Sequence, residues 1–284
     1  MCGITGIWNC SEGNENYLKN KTSEMSKKLF HRGPDNIGLW WDVKSQIYLG
    51  HLRLSILDLS SAGNQPMQLD DNYVISYNGE IYNHIEIRKE LNTFYKRDIN
   101  WRSNSDTETI LVSIKTWGIE KAINKFDGMF AIALWDKSKK ELHLIRDRFG
   151  EKPLYWGFIN IDDNYSQKAL VFASDLGALR TLKKEFKLNN KSTIAYFKRG
   201  YLPTSCSIYQ DIFQLEPGHI ITFNSDISGF ANKENKSSRK WWDIENETNY
   251  KKCSGEESIT NLNNILNEVI DQQSLSDVNL GCFL

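Results

Sequence analysis

Met1-Cys2-Gly3-Ile4-Thr5-Gly6-Ile7-Trp8 opens the chain. Ile4–Trp8 reads as a strand, and just ahead of it stands a cysteine. Removal of Met1 would make Cys2 the N-terminus. One residue would then carry a thiol nucleophile and a free α-amine able to act as its base. An α-amine has an ordinary pKa of about 7.7–8.0, so an appreciable fraction is unprotonated near neutrality. Thiol and amine of one residue meet in a strained geometry, so a bridging water is expected to carry the proton. By itself Cys2 reads first as a small residue beginning a buried strand. Its meaning depends on what the rest of the chain supplies.

Attack on an amide also needs an oxyanion hole and groups that recognise the substrate. Asn78-Gly79-Glu80 follows the strand Tyr73–Tyr77. A side-chain amide at Asn78 and the backbone N–H of Gly79 can converge on one oxygen, and Gly permits close approach. Taken alone the pair reads first as an ordinary Asn-Gly turn with positive φ. Arg53 ends the apolar stretch Gly50-His51-Leu52-Arg53-Leu54-Ser55-Ile56 and could pair bidentately with a carboxylate. Asp106 lies before a helix and could hold an ammonium or cap that helix. Together, Arg53 and Asp106 match the two ends of a free α-amino acid. His31–Asp35 is a Gly-Pro turn, either a lid over a pocket or only a turn. Arg146–Tyr155 is a dense charged turn with an equally good structural reading. His51 and His84 show no metal spacing and read as structural.

The chain has 284 residues, 40% hydrophobic and 25% charged, with nine tryptophans and twelve tyrosines. That composition supports a packed core rather than disorder. A net charge of -1 and the lack of a long basic stripe give nucleic-acid binding no electrostatic support. The five cysteines, Cys2, Cys10, Cys206, Cys253 and Cys282, form no C-x-x-C pair and no metal spacing with the histidines. Their odd count fits a reducing compartment. No basic segment followed by an apolar run marks a signal peptide. The apolar run Met129–Trp135 is far too short to span a bilayer. The expected protein is soluble and cytoplasmic, with no metal and no membrane partner.

Strands are expected at Ile4–Trp8, Ile47–His51, Tyr73–Tyr77, Met129–Asp136, Leu142–Arg146, Val171–Ala173 and His219–Phe223. Helical patterns fall at Asn83–Leu91, after Ser105 or Asp106, and near Ser192–Lys198. Strands in series with helical cover suggest layered sheets. Residues 224–255 lose all periodicity and read as a linker or variable loop. Glu256–Gln272 is strongly amphipathic, with Ile259, Leu262, Ile265, Leu266, Val269 and Ile270 at helical spacing. Asp277–Leu284 then reads as a buried strand. A helix–strand unit cannot bury both faces alone, so residues 256–284 look like the start of a second, incomplete domain. Their apolar surface is expected to be mobile or to self-associate, leaving a homodimer open.

These pieces, in this order, resemble the class II, N-terminal-nucleophile glutamine amidotransferases. The set His31–Asp35, Gly50–Leu57, Gln65-Pro66-Met67, Tyr77–His84, Ser105–Glu108, Phe126–Phe130, Arg146–Tyr155, Phe172–Asp175 and Leu215–His219 is similar to the glutamine-hydrolysing asparagine synthetases in particular. The resemblance implies an α+β fold, the four-layer αββα sandwich, over residues 2–223. It implies Cys2 as nucleophile, Asn78 and Gly79 as oxyanion hole, and glutamine hydrolysis to glutamate and ammonia through a thioester. Arg53 would hold the glutamine α-carboxylate, with Leu54, Ser55, Ile56 and Leu57 beside it. Glu80 and Asp106 would lie at the amino-acid end. No cofactor is implied for this half. In the family the ammonia passes to an α/β ATP-pyrophosphatase domain that uses ATP and Mg to activate aspartate. Residues 256–284 resemble its first helix and strand, and Leu284 matches an ATP-contacting position. The family continues with a Ser-Gly-Gly-x-Asp-Ser loop beyond Leu284, so the chain is expected to run only the glutaminase half.

Two other functions stay open at this level. The same glutaminase could serve another acceptor, such as an amino sugar or a phosphoribosyl donor. A non-catalytic domain of this fold could act as a partner surface, although Cys2, Asn78, Gly79, Arg53 and Asp106 are all present.

Overall fold

The computed structural model describes residues 1–8, 14–161, 168–224, 238–247 and 254–282. Two six-stranded sheets form the centre. The first contains β1 (Gly3–Trp8), β2 (Asn36–Asp42), β3 (Ile47–Arg53), β8 (Tyr155–Ile159), β9 (Ala169–Ala173) and β10 (Ile212–Gln214), in the order β10-β8-β9-β1-β3-β2. The second contains β4 (Met67–Leu69), β5 (Tyr73–Ile81), β6 (Gly128–Asp136), β7 (Glu141–Arg146), β11 (His219–Phe223) and β12 (Ser238–Lys240), in the order β12-β11-β7-β6-β5-β4. The strand pairs are antiparallel.

Period-2 alternation divides each strand between two cores. In β6, Ala131, Ala133 and Trp135 face the other sheet, while Phe130, Ile132 and Leu134 face helices. In β9, Leu170 and Phe172 face the other sheet, and Ala169, Val171 and Ala173 face away from it. Three apolar layers result. One lies between the sheets and one on the outer face of each. Helices α1 (Glu15–Lys27) and α5 (Leu176–Leu179) cover the first sheet. Helices α2 (His84–Tyr95), α3 (Asp106–Trp117) and α4 (Ile119–Lys125) form the cover of the second. The arrangement is the αββα sandwich. Helix α6 (Asn190–Arg199) lies outside these layers, with one buried residue, Ser192.

Three sequence expectations change. Asn78-Gly79 is not a turn: β5 runs extended through both to Ile81, paired with β6 to its end, and Gly79 has no positive φ. The expected linker at 224–255 contains β12, which pairs with β11. The adjoining Trp241 stacks on Phe130, with ring centroids 6.0 Å apart, and donates its indole N–H to the Arg146 carbonyl at 3.1 Å. Low complexity upstream hides a strand that completes the sheet edge. Third, Asp277–Leu284 is no buried strand. Its described residues, 277–282, are exposed and pair with no strand. A strand needs a neighbour for its backbone hydrogen bonds, and none lies alongside. Instead the Ser276 hydroxyl closes a tight turn with the backbone of Val278. Leu284 lies outside the described residues.

The helix before that turn, α7 (Gly255–Gln273), forms as its periodicity demands. Ser254 and Glu257 make a reciprocal capping box. It buries none of its side chains, and Ile259 is 71% exposed. Among the described residues no helix is long and apolar enough to cross a membrane.

Candidate active site

Alternation also builds the site. In β1, Ile4 and Trp8 face the second sheet, so Cys2, two residues before Ile4, falls on the same face. In β3, Ile47 and Leu49 face inward, which puts His51 and Arg53 on that side. In β5, Val74 faces inward, which carries Ser76, Asn78 and Glu80 with it. The β1–β3 register pairs Gly3 with Leu52, so Cys2 and Arg53 lie at one end of the sandwich. Strand β5 packs across from β1 and β3. His51 bridges the sheets through Nε2 and the Tyr77 carbonyl at 3.0 Å, and complete burial pushes its pKa down to about 3. Ser76 donates to the Gly50 carbonyl at 3.1 Å. Cys2, Arg53, Asn78, Gly79 and Glu80 converge there on one cleft, with Asp106 from the start of α3.

The Cys2 thiol sits against the Leu54 backbone. The Leu54 N–H donates to Sγ at 3.4 Å, and Sγ lies 3.7 Å from the Leu54 carbonyl. Burial pushes the thiol pKa up, opposed by the Leu54 N–H and the nearby N-terminal ammonium. The Cys2 carbonyl accepts from Arg32 Nε at 3.1 Å, which places the His31–Asp35 turn under the N-terminus. Asp35 closes that turn by accepting the Ser55 N–H at 2.8 Å. Ser55 therefore faces the turn, and the cleft is lined by Leu54, Ile56 and Leu57 without it.

Asn78 is 1% exposed, yet neither its amide nitrogen nor its oxygen has a hydrogen-bond partner. Such a group costs roughly 1–3 kcal/mol to keep buried. Gly79 allows β5 and β6 to meet there, since a Cβ would lie 2.2 Å from the Met129 carbonyl oxygen. Gly79→Ala is expected to destabilise the fold by about 1–3 kcal/mol, read as a lowered denaturation midpoint.

Two carboxylates lie at the far side. Asp106 is buried, and its Oδ2 accepts from Tyr77 Oη at 2.7 Å and the Ile81 N–H at 2.9 Å. Burial raises its pKa and these bonds oppose the rise. Ser105, not Asp106, occupies the N-cap position of α3. Glu80 is half-buried, with Oε1 unpartnered. Burial first, then the charge of Asp106, raise its pKa to about 7, and Lys152 opposes the rise.

Arg53 spends its terminal nitrogens on the loop that follows it. Nη1 donates to the Ser60 carbonyl at 2.7 Å and to Asn64 Oδ1 at 2.9 Å. Nη2 donates to the Leu57 carbonyl at 3.1 Å and to that of Asp58. Gly63 leaves room for it: a Cβ there would lie 2.2 Å from Nη2. Arg53 still lines the cleft.

Several residues that reach the cleft have no role assigned by the sequence motifs that contain them. The charged turn after β7 is knit to the backbone, with Asp147 accepting the N–H groups of Phe130, Phe149, Glu151 and Lys152. Arg146 donates to the carbonyls of Lys152, Leu215 and Gly150. This turn delivers the buried Lys152 to the cleft, where Nζ lies 3.3 Å from Met1 Sδ. Gln65 accepts the Tyr77 N–H at 2.7 Å and donates to Thr107 at 3.2 Å, tying β5 to α3. Among the described residues no cluster of three or more His, Cys, Asp or Glu could hold a metal.

Two antiparallel sheets between helices, with a cysteine at the entry to a central strand, define an N-terminal-nucleophile αββα fold. The sequence profile of the glutamine amidotransferase domain matches residues 1–242, and the chain belongs to that family. It is 32% identical over 305 residues to a putative glutamine-hydrolysing asparagine synthetase of Methanocaldococcus jannaschii, covering 100% of this chain and 54% of that protein. It is 32% identical over 231 residues to asparagine synthetase 1 of Bacillus subtilis, covering 80% of this chain and 34% of that protein. The chain thus spans about half or less of these relatives. In fold it is similar to the B. subtilis glutamine phosphoribosylpyrophosphate amidotransferase, with a TM-score of 0.56, 17% identity, and coverage of 85% of this chain and 49% of that one.

Proposed function

We propose that this domain hydrolyses the side-chain amide of glutamine, giving glutamate and ammonia through a thioester on Cys2. The observation that carries this reading is the unpartnered Asn78 amide in the same cleft as the Cys2 thiol and two carboxylates. The thiol attacks the amide carbon. The Asn78 amide and the Gly79 N–H hold the oxyanion. The α-amine of Cys2, freed by loss of Met1, takes the thiol proton and returns it to the departing ammonia. Water then cleaves the thioester. In the chain with Met1 in place, the α-amine stands one residue ahead of Cys2. Burial, Arg32 and Lys152 together hold the α-ammonium of Met1 below its ordinary pKa, and Cys2 and Asp35 oppose them.

Glu80 and Asp106 receive the glutamine ammonium. Arg53 presents positive charge to the carboxylate and braces the Leu54–Leu57 backbone beside it. The test is steady-state assay of glutamate and ammonia with glutamine alone, on protein whose intact mass shows Met1 removed. A processed chain that releases neither product overturns the reading.

The Glu80 role has a pH signature. Its pKa of about 7 lies above the ordinary 4.5, so the carboxylate forms only as pH rises through about 7. The substrate ammonium pairs with the ionised form. KM for glutamine is therefore expected to fall as pH rises from 6 to 8, and Glu80→Gln to flatten that dependence and raise KM at pH 8 by roughly 10-fold. A KM profile identical in the variant would remove Glu80 from recognition.

In a longer protein of this family, we propose, the ammonia amidates aspartate at a synthetase unit beginning near Glu256 and using ATP and Mg. Support comes from the names of the relatives above.

A further inference from the structure

Helix α7 buries no side chain, yet the turn after it returns to the cleft. Asp277 makes the contact at two points. Its backbone N–H donates to the Ile56 carbonyl at 3.0 Å, and its Oδ2 accepts the Asp58 N–H at 2.7 Å. These bonds bracket Leu57, and Ile56 and Leu57 both line the cleft. Asp58 holds φ at 54°, the left-handed region. A non-glycine residue stays there only when its surroundings over-determine it. Around Asp58 they do. Its carboxylate accepts from Ser60 and from the Asn104 N–H, and Arg53 takes its carbonyl. Asp277 occupies the Asp58 N–H.

We propose that Asp277 is a positioning residue that clasps the Ile56–Asp58 loop in its glutamine-binding shape and so couples the segment after α7 to glutamine affinity. The proposal rests on glutamine being the ligand. Asp277 lies beyond the matched amidotransferase residues 1–242, so the clasp reaches the cleft from outside that domain. Coupling of this kind is reciprocal. A tail that favours the bound loop shape is itself held more firmly when glutamine is bound.

The test compares Asp277→Ala and Asp277→Asn in the 284-residue chain. Alanine removes the acceptor, and asparagine keeps a carbonyl oxygen to receive the Asp58 N–H. Asp277→Ala is expected to raise KM for glutamine about 3- to 10-fold with kcat held within about twofold, and Asp277→Asn to recover most of the loss. Amide exchange at Ile56–Ser60 should quicken in the alanine variant without substrate. Saturating glutamine should slow exchange across 275–280 in the unaltered chain and not in Asp277→Ala. Unchanged loop exchange overturns the clasp, and faster loop exchange with unchanged KM overturns the coupling. If the unaltered chain hydrolyses no glutamine, the glutaminase reading fails instead, while loop exchange still reports on the clasp.

Discussion

Cys2→Ala is expected to abolish glutamine hydrolysis, with a loss on the order of 10³-fold or more in kcat. The sulfur is the only protein group proposed to bond to the substrate carbon, and no other described cysteine lies in the cleft. Stability should move little, because the hydrogen bonds of Sγ run to the Leu54 backbone alone, at 3.4 Å and 3.7 Å, and the substitution removes a single heavy atom. Circular dichroism and a thermal midpoint matching the parent would separate lost chemistry from lost fold. A second variant probes the base. One residue inserted between Met1 and Cys2, chosen to block removal of Met1, turns the α-nitrogen of Cys2 into an amide. An amide nitrogen is no base, so this chain should be as inactive as Cys2→Ala although its thiol remains. Activity retained by the blocked chain would move the base to another group, and activity retained by Cys2→Ala would end the thioester mechanism.

Strands and site were not equally legible in the sequence. β1, β3, β5, β6, β7, β9 and β11 follow from apolar runs bounded by turn residues, because such strands are buried on both faces. Helix α1 gives no such signal: its buried face includes Thr22 and Ser26, which satisfy their hydroxyls within the core. β2 alternates between half-buried and exposed positions and places Trp41 outward, so it reads as no core strand. The Asn78-Gly79 pair pointed to the proposed oxyanion hole but misled on conformation. Asn-Gly favours a turn locally, and pairing with β6 overrides that preference. Lys152 and Gln65 reach the site on segments tied to distant backbone, through Asp147 to Phe130, Arg146 to Leu215 and Gln65 to Tyr77, information that spacing does not hold. The Asp277 contact joins residues 219 positions apart, with no periodicity to announce it.

Asn78→Ala is expected to lower kcat by about 10²- to 10³-fold, the usual cost of one oxyanion donor at about 2.7–4 kcal/mol, while KM changes little. The substrate amide is a weak acceptor, and the tetrahedral oxyanion is a strong one. The Asn78 contribution therefore grows on the way to the transition state, which lowers kcat rather than affinity. Stability should behave otherwise. The Asn78 amide is buried with no partner, so its removal breaks no hydrogen bond of the resting protein. Relief of an unsatisfied polar group, roughly 1–3 kcal/mol, offsets the small cavity left by truncation. The thermal midpoint of Asn78→Ala should stay near that of the parent, or rise. Asn78→Asp sharpens the comparison, because it keeps the shape, removes both donors and adds negative charge where the oxyanion forms. It should be slower still than Asn78→Ala. A loss of stability proportional to the loss of rate would instead make Asn78 a member of the fold. Rate lost with stability kept identifies a polar group held at a cost for the transition state.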